Sequence, residues 1–146
     1  MPQAKTPDNQ TREPVPLPGQ EERRVEAVRR YDILDTPPDG AFDRVAGLAA
    51  RLLETPTASV TIVDTDRIWF KAARGLEGVR EIGRDPGLCA SAICSDDALV
   101  IPGALADPVA CANPLVAGEM GVRFYAAAPI TDAVSPGPDV AGPELR

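Results

Sequence analysis

The side chains of this sequence best suited to nucleophilic or redox chemistry are the thiols of three cysteines, Cys89, Cys94 and Cys111. A thiol reacts as its thiolate, and a neighbouring histidine is a common base for generating it. The sequence contains no histidine. This composition excludes Ser-His and Cys-His nucleophile pairs, histidine-ligated zinc and haem, and a phosphoacceptor histidine. Much of the usual catalytic repertoire is therefore closed to the chain.

Cys89 has a sequence environment that could activate its thiol without histidine. Asp85-Pro86 predicts the start of a short helix, and Cys89 would lie in its first turn, where the helix dipole lowers a thiol pKa. One interpretation is a redox-sensing or ligand-contacting thiol. The other is a small buried apolar side chain, a common role of free cysteines. We prefer the second, and we expect Cys94 and Cys111 to be core or loop residues.

Length and composition predict one small acidic domain. The chain has 146 residues, of which 44% are hydrophobic, and this is enough for a single packed core. A net charge of −7 argues against a nucleic-acid partner, because phosphate binding needs clustered Lys and Arg. No apolar run reaches the ~20 residues that span a bilayer, and residues 1–19 do not read as a signal peptide. We predict a cytoplasmic protein without membrane contact, metal or cofactor.

The elements that would position these residues begin with two helices. Val25, Val28, Tyr31 and Leu34 recur at helical spacing and predict a helix over 21–34, which ends before Pro37-Pro38. Asp39 is a predicted N-cap for a second helix. That helix has apolar residues that we predict to form one stripe: Phe42, Val45, Ala46, Ala49, Leu52 and Leu53.

Strand signals follow the second helix. The β-branched segment 59–64 and the segment 68–74 predict a hairpin, with Val60 and Ile62 on one face and Ser59, Thr61 and Val63 on the other. We then expect a loop over 77–87, the short helix, a strand at 99–101 and a turn or short helix from Asn113-Pro114. Residues 123–130 predict a buried strand. The Pro-rich ends, 1–19 and 131–146, predict disorder.

Five segments in this order resemble the GAF domain, a small α+β sensory module. The match is to a bacterial sensory subfamily found upstream of histidine kinase or diguanylate cyclase outputs, and it covers about residues 21–130. The segment Ile33-Leu-Asp-Thr36, together with Phe42-Asp43, resembles the start of the domain in that subfamily. The other segments are DTDRIWFKAARGL (64–76), GRDPGLCASAI (83–93), ADPVACANPLV (106–116) and GVRFYAAAPI (121–130). The resemblance implies a GAF domain over residues 20–130.

The sequence departs from the subfamily at two points. Ser91 stands where the subfamily usually has a histidine. Past Ile130 the subfamily continues with a further strand and a closing helix, where this chain has the Pro-rich segment 131–146. We therefore expect a GAF/PAS-like antiparallel sheet flanked by helices that lacks the final strand and helix. Such a domain would fold only in part, or with a partner.

The resemblance also implies a ligand pocket between the sheet and the loops on one face. By position, its lining would be Trp69, Lys71, Arg74, Arg84, Cys89, Ser91 and Tyr125. The alternative for each residue is structural. Trp69 and Tyr125 would be core residues, Lys71 and Arg74 would lie on a solvated strand face, and Arg84 would pair with Asp85.

The function implied is a non-catalytic sensory or regulatory domain that binds an unidentified small molecule or a partner protein in bacterial signal transduction. One alternative is a cysteine-based enzyme similar to the free methionine sulfoxide reductases, which GLCA (87–90) and Cys111 resemble. That enzyme class has an upstream partner cysteine, and residues 77–87 contain none. The other alternative is a structural module that dimerises through the helix at 21–34 or docks on a signalling output protein.

Overall fold

The computed structural model describes residues 18–84 and 88–131, which form helices and antiparallel strands. The predicted α+β class is confirmed. The described residues divide into two compact units, a first unit of residues 18–84 with 130–131 and a second unit of residues 88–129. Residues 1–17 and 132–146, most of the two ends predicted to be disordered, lie outside the described residues. The predicted lack of a final strand and helix concerns the same C-terminal segment and stays a prediction.

The first unit consists of two helices and a three-stranded sheet. The ends of the first helix suit the helix dipole, with Glu21 in the first turn and Arg29 and Arg30 in the last. Asp39 caps the second helix, as predicted, and its Oδ1 accepts a 2.8 Å hydrogen bond from the Ala41 N–H. The elements are α1 (Pro18–Tyr31), α2 (Gly40–Leu52), β1 (Ala58–Val63), β2 (Arg67–Arg74) and β3 (Glu81–Gly83), with sheet order β1-β2-β3.

The apolar residues of α2 lie on two faces of the helix. Ala46 is buried with Val60 and Ala72, and Phe42 packs against them. The predicted stripe is buried along only part of its width, because small alanines let the helix backbone approach the sheet and leave no room for the larger side chains there. Those larger side chains are more than half exposed: Val45, Leu48, Leu52 and Leu53.

A bulge shapes the β1–β2 hairpin. The register shifts between Val60 and Thr61, so the strict alternation predicted for this strand fails, and Val60 and Val63 are the buried residues. Gly75 ends β2 at φ +78°, where a Cβ would lie 2.3 Å from the Pro56 carbonyl oxygen, so only glycine fits. β3 lies inside the predicted loop and pairs with the start of β2.

The second unit is built from short elements around a core of mostly small side chains. Its core residues are Leu88, Ile101, Ala104, Ala110 and Val116. A short helix starts at Asn113-Pro114, as predicted, with Asn113 as its N-cap and Pro114 as the first helical residue. The elements are α3 (Leu88–Ala92), β4 (Leu99–Ile101), a 3₁₀ helix (Ala110–Ala112), α4 (Pro114–Ala117) and β5 (Tyr125–Ala127).

The predicted buried strand over 123–130 is wrong in its length and its burial. β5 spans only Tyr125–Ala127, while Phe124 and Ile130 are exposed. Its antiparallel partner β4 is equally short and pairs residue for residue with it, from Leu99 with Ala127 to Ile101 with Tyr125. A strand extends only as far as its partner supplies hydrogen bonds, so β5 ends where β4 ends.

Candidate functional site

Lys71 on β2 is a buried cation held in a box of neutral groups. Its residue is 7% exposed. The ammonium donates to Thr36 Oγ1 at 2.8 Å and to the Pro37 carbonyl at 2.7 Å. It also lies 5.5 Å from the ring centre of Phe42 and 5.8 Å from that of Trp69. The prediction that Lys71 lies on a solvated strand face is therefore wrong.

The segment between α1 and α2 builds this box. Thr36 donates its own hydroxyl hydrogen to the Ile33 carbonyl at 2.6 Å, so its oxygen is free to accept from Lys71. Proline has no N–H, so the Pro37 backbone offers only its carbonyl oxygen as a hydrogen-bond partner. Both ring faces attract the cation, which offsets part of the cost of removing it from water.

The compensation for the Lys71 charge is incomplete. An ammonium has three N–H donors, and two are used. Within residues 18–84 and 88–131, Lys71 has no carboxylate at ion-pair distance and no acceptor for the third N–H. Buried charges are normally paired. The arrangement therefore has the capacity to take up a negative group.

The residue Lys71 also lines a hollow of about 160 Å³ in the first unit. Its apolar lining includes Phe70, Ala72 and Leu76, all buried. Its charged lining has two residues of each sign: Lys71, Arg80, Asp43 and Glu77. Asp43, Glu77 and Arg80 are exposed, so they form the rim, while Lys71 lies at depth. Chemically, this is a small bowl with an apolar wall and balanced charge.

Arg84, another predicted pocket residue, belongs to an ion cluster at the start of α1. The Glu21 carboxylate accepts from Arg24 Nη2 at 2.7 Å and from Arg84 Nη1 at 2.6 Å. Hydrogen bonding from Arg24 and Arg84, against a partial cost of burial, lowers the pKa of Glu21 to about 2. The carboxylate therefore stays ionised down to strongly acidic pH.

This ion cluster also joins the helix to the hairpin. Arg84 Nη1 donates to the Asp64 carbonyl at 3.0 Å, and Arg24 donates to the Val63 carbonyl. Two arginines that bridge one carboxylate and the strand end fix α1 against the β1–β2 turn. The acid that pairs with Arg84 in the described part is Glu21, and the predicted partner Asp85 lies outside it.

A second arginine cluster lies at the start of β2. Arg67 donates to both carboxylate oxygens of Asp35, at 2.9 and 2.7 Å, and to Glu81 at 2.6 Å. Hydrogen bonding to Arg67 lowers the pKa of Asp35 and, reciprocally, raises that of Arg67. These pairs join the α1–α2 segment, β2 and β3. They were missed in the sequence, where the three residues lie far apart.

In the second unit, the structure brings Cys89 and Tyr125 together. The Tyr125 hydroxyl lies 3.3 Å from Cys89 Sγ and donates to it. Burial, and then the neighbouring Cys89, raise the pKa of Tyr125. Cys89 is partly exposed, and α3 has only five residues. Ser91, on the same helix, accepts at its carbonyl from the Cys94 N–H at 3.3 Å.

The predicted site residues therefore form two separate pairs within the two units. Trp69 meets Lys71 in the first unit, and Cys89 meets Tyr125 in the second. The remaining first-unit residue, Arg74, is exposed at the end of β2, as its structural alternative predicts. Sequence reasoning missed Thr36, Phe42, Asp43, Glu77 and Arg80. For Thr36, the available signal was the Pro-Pro pair, which we interpreted only as a helix stop.

Two properties of the described residues bear on function class. In residues 18–84 and 88–131, no group of three or more Cys, Asp and Glu side chains is placed to hold a metal ion. Within the same ranges, no helix has the length and apolar character needed to cross a membrane.

Comparison with known proteins identifies similar sequences. The sequence profile of the GAF domain family matches residues 37–138. A cyclic di-GMP phosphodiesterase of Pseudomonas aeruginosa is 35% identical over 118 residues, which is 81% of this chain and 20% of that protein. The chain thus spans about a fifth of the length of the curated relative it matches.

Proposed function

Because the chain belongs to the GAF domain family, we propose that it is a non-catalytic sensory domain that binds a small molecule. Binding would regulate an output in bacterial signal transduction. The similarity to a cyclic di-GMP phosphodiesterase supports an output in cyclic di-GMP signalling. Because that similarity is confined to 20% of the phosphodiesterase, it supports a role as one module of a larger system.

The observation that carries the proposal is the buried ammonium of Lys71 beside a hollow. A fold gains little stability from a buried cation that has only neutral partners, since an apolar side chain would fill the same space without a desolvation cost. A bound negative group would complete the site. Binding sites typically combine an apolar lining with a few placed polar groups, and this hollow has both.

Thermal unfolding of the full 146-residue chain against a panel of small metabolites tests the proposal. A ligand that binds only the folded state raises Tm as its concentration rises. We expect saturable stabilisation by at least one metabolite, with no hydrolysis of cyclic di-GMP by the same sample. A flat Tm across the whole panel, or turnover of cyclic di-GMP, would contradict the proposal.

A thiol enzyme is the second candidate, and the contact between Tyr125 and Cys89 favours it. In such an enzyme the Cys89 thiol would attack the sulfur of free methionine sulfoxide. Methionine would leave, the oxygen would stay on Cys89 as a sulfenic acid, and added dithiothreitol would restore the thiol and release water. Dithiothreitol-dependent turnover that Cys89→Ser abolishes would establish this candidate. We expect no such turnover.

Dimerisation through the helix at 21–34 has weaker support. Val25 of α1 is buried and Val28 is partly buried within the first unit. The apolar residues that would form a dimer seam are therefore largely packed against the protein's own fold. The exposed residues of α1 are mostly charged, including Glu22, Glu26 and Arg29, and exposed ion pairs contribute little to association.

A further inference from the structure

We infer that the hollow beside Lys71 binds a small zwitterion of the α-amino acid type. Its carboxylate would lie against Lys71 and Arg80, and its ammonium against Asp43 and Glu77. This inference rests on the proposed function, because it names the ligand class for the same site. Charge, size and lining each contribute an independent argument.

The first argument is the unmet requirement of Lys71. One of its N–H donors has no acceptor in the described part of the chain, and its two acceptors there, Thr36 and Pro37, are uncharged. A carboxylate supplies both an acceptor and the opposite charge, which a neutral ligand does not. Arg80 on the rim of the same hollow offers a second cationic donor to the same carboxylate.

The second argument is the balance of charge around the hollow. Asp43 and Glu77 line it along with the two cations. A dianion such as phosphate would gain from the cations and lose to the two carboxylates. A simple cation would face the opposite conflict with Lys71 and Arg80. A molecule with one positive and one negative end matches all four groups at once.

The third argument is size. A volume of about 160 Å³ corresponds to the space of about five water molecules at roughly 30 Å³ each. Pockets that enclose larger ligands run from about 300 Å³ upward, so this hollow would enclose only part of a cyclic nucleotide or a tetrapyrrole. An amino acid with a short apolar side chain fits, and the buried wall of Phe70, Ala72 and Leu76 suits that side chain.

Calorimetric titration of the full chain with L-alanine and L-valine tests the inference. Acetate and ethylamine carry the two charged ends separately and serve as matched half-ligands. We expect saturable binding of at least one amino acid at one site per chain, and at least tenfold weaker binding of each half-ligand. Acetate binding as tightly as the amino acids would overturn the zwitterion assignment, and so would the absence of amino acid binding.

Variants locate the site. Lys71→Met keeps the length of the side chain and removes the charge, so we expect roughly tenfold to hundredfold weaker binding, the usual scale for a charged hydrogen bond. Asp43→Asn removes one anchor for the ammonium, and Ala73→Leu fills the hollow from an exposed position. Both should weaken binding at least fivefold. Arg51→Gln, an exposed change on α2 outside the hollow, is the control and should bind as the parent chain does.

The surface variants keep the test decisive if Lys71→Met fails to fold. Parent-like affinity in both Asp43→Asn and Ala73→Leu would overturn the inference. The outcome also separates this inference from the proposed function. Binding of another metabolite class without amino acid binding would end the inference and leave the sensory function standing. A panel in which no metabolite binds would end both.

Discussion

Among residues 18–84 and 88–131, each unit of the protein contains one buried polar residue, and the two differ in where their partners come from. Asn113 in the second unit is 1% exposed. Its Oδ1 accepts from the Leu115 N–H at 2.8 Å, and its N–H donates to the Ala110 carbonyl at 2.9 Å. Lys71 in the first unit instead uses acceptors 34 and 35 positions upstream. A polar group that caps its own helix is accounted for by the fold, whereas Lys71 retains an unused donor beside a hollow.

The two units also differ in the contacts that stabilise them. The first unit is held by large buried side chains and by arginines that join distant segments, such as Arg84 to Glu21. The second unit relies on small core residues and local caps. In one such cap, Asp107 Oδ1 accepts from the N–H groups of Val109 and Ala110 at 3.0 and 2.8 Å. Among the described residues, ion pairs between distant segments therefore distinguish the unit that carries the candidate site.

The largest expected effect comes from the core of the first unit. Ile68 on β2 is 0% exposed, so Ile68→Ala leaves a cavity and should cost about 2–5 kcal/mol of unfolding free energy. Urea denaturation followed by the fluorescence of Trp69, the one tryptophan, measures it. Val100→Ala on the exposed face of β4 is the control and should cost less than about 1 kcal/mol. Equal losses would contradict the assigned core.

The next effect tests the local character of Asn113. Asn113→Ala removes the acceptor of a buried N–H and should cost about 1–3 kcal/mol. Amide hydrogen exchange should show the loss at Leu115 and its neighbours in α4. Asn113→Ser keeps an oxygen at the cap position and should recover at least half of the lost protection. Unchanged exchange in Asn113→Ala would refute the capping role.

A smaller, pH-dependent effect tests the ion cluster of the first unit. Glu21→Gln should cost about 1–2 kcal/mol at pH 7, less than the pKa shift alone implies, because the side chain is partly exposed to solvent. The pKa of Glu21 falls from 4.5 to about 2 on folding, so its ionised form stabilises the fold above pH 4.5. The difference between parent and variant should shrink from about pH 5 to pH 2. Glu22→Gln, at the exposed neighbouring position, is the control and should change the free energy of unfolding at pH 7 by less than about 0.5 kcal/mol.

The sequence predicts the elements whose signals are local. Asp39 caps α2 and Asn113-Pro114 starts a short helix, both as predicted, because these signals need only residues two positions away. The hairpin and the strand at Leu99–Ile101 follow from β-branched runs and turns. Here the chain encodes its structure within a few residues.

The rest depends on contacts that no local pattern encodes. The burial of Lys71 requires a carbonyl 34 residues away, and Glu21 meets Arg84 across 63 positions. β3 forms because the start of β2 offers it a free edge, not because its own residues favour a strand. Which apolar residues of α2 are buried depends on which of its alanines pack against the sheet. For these reasons the candidate site could be predicted only as a set of single residues, of which Trp69 and Lys71 meet.

Amide NMR of the full chain, titrated with L-alanine, tests most directly whether the hollow beside Lys71 is the sensory site. The account predicts saturable shifts at Asp43, Ala72, Ala73 and Arg80, absent in Ala73→Leu, with the Asn113 and Leu115 signals unmoved. Shifts centred on Cys89 and Tyr125, or no shifts at saturating L-alanine, would contradict it.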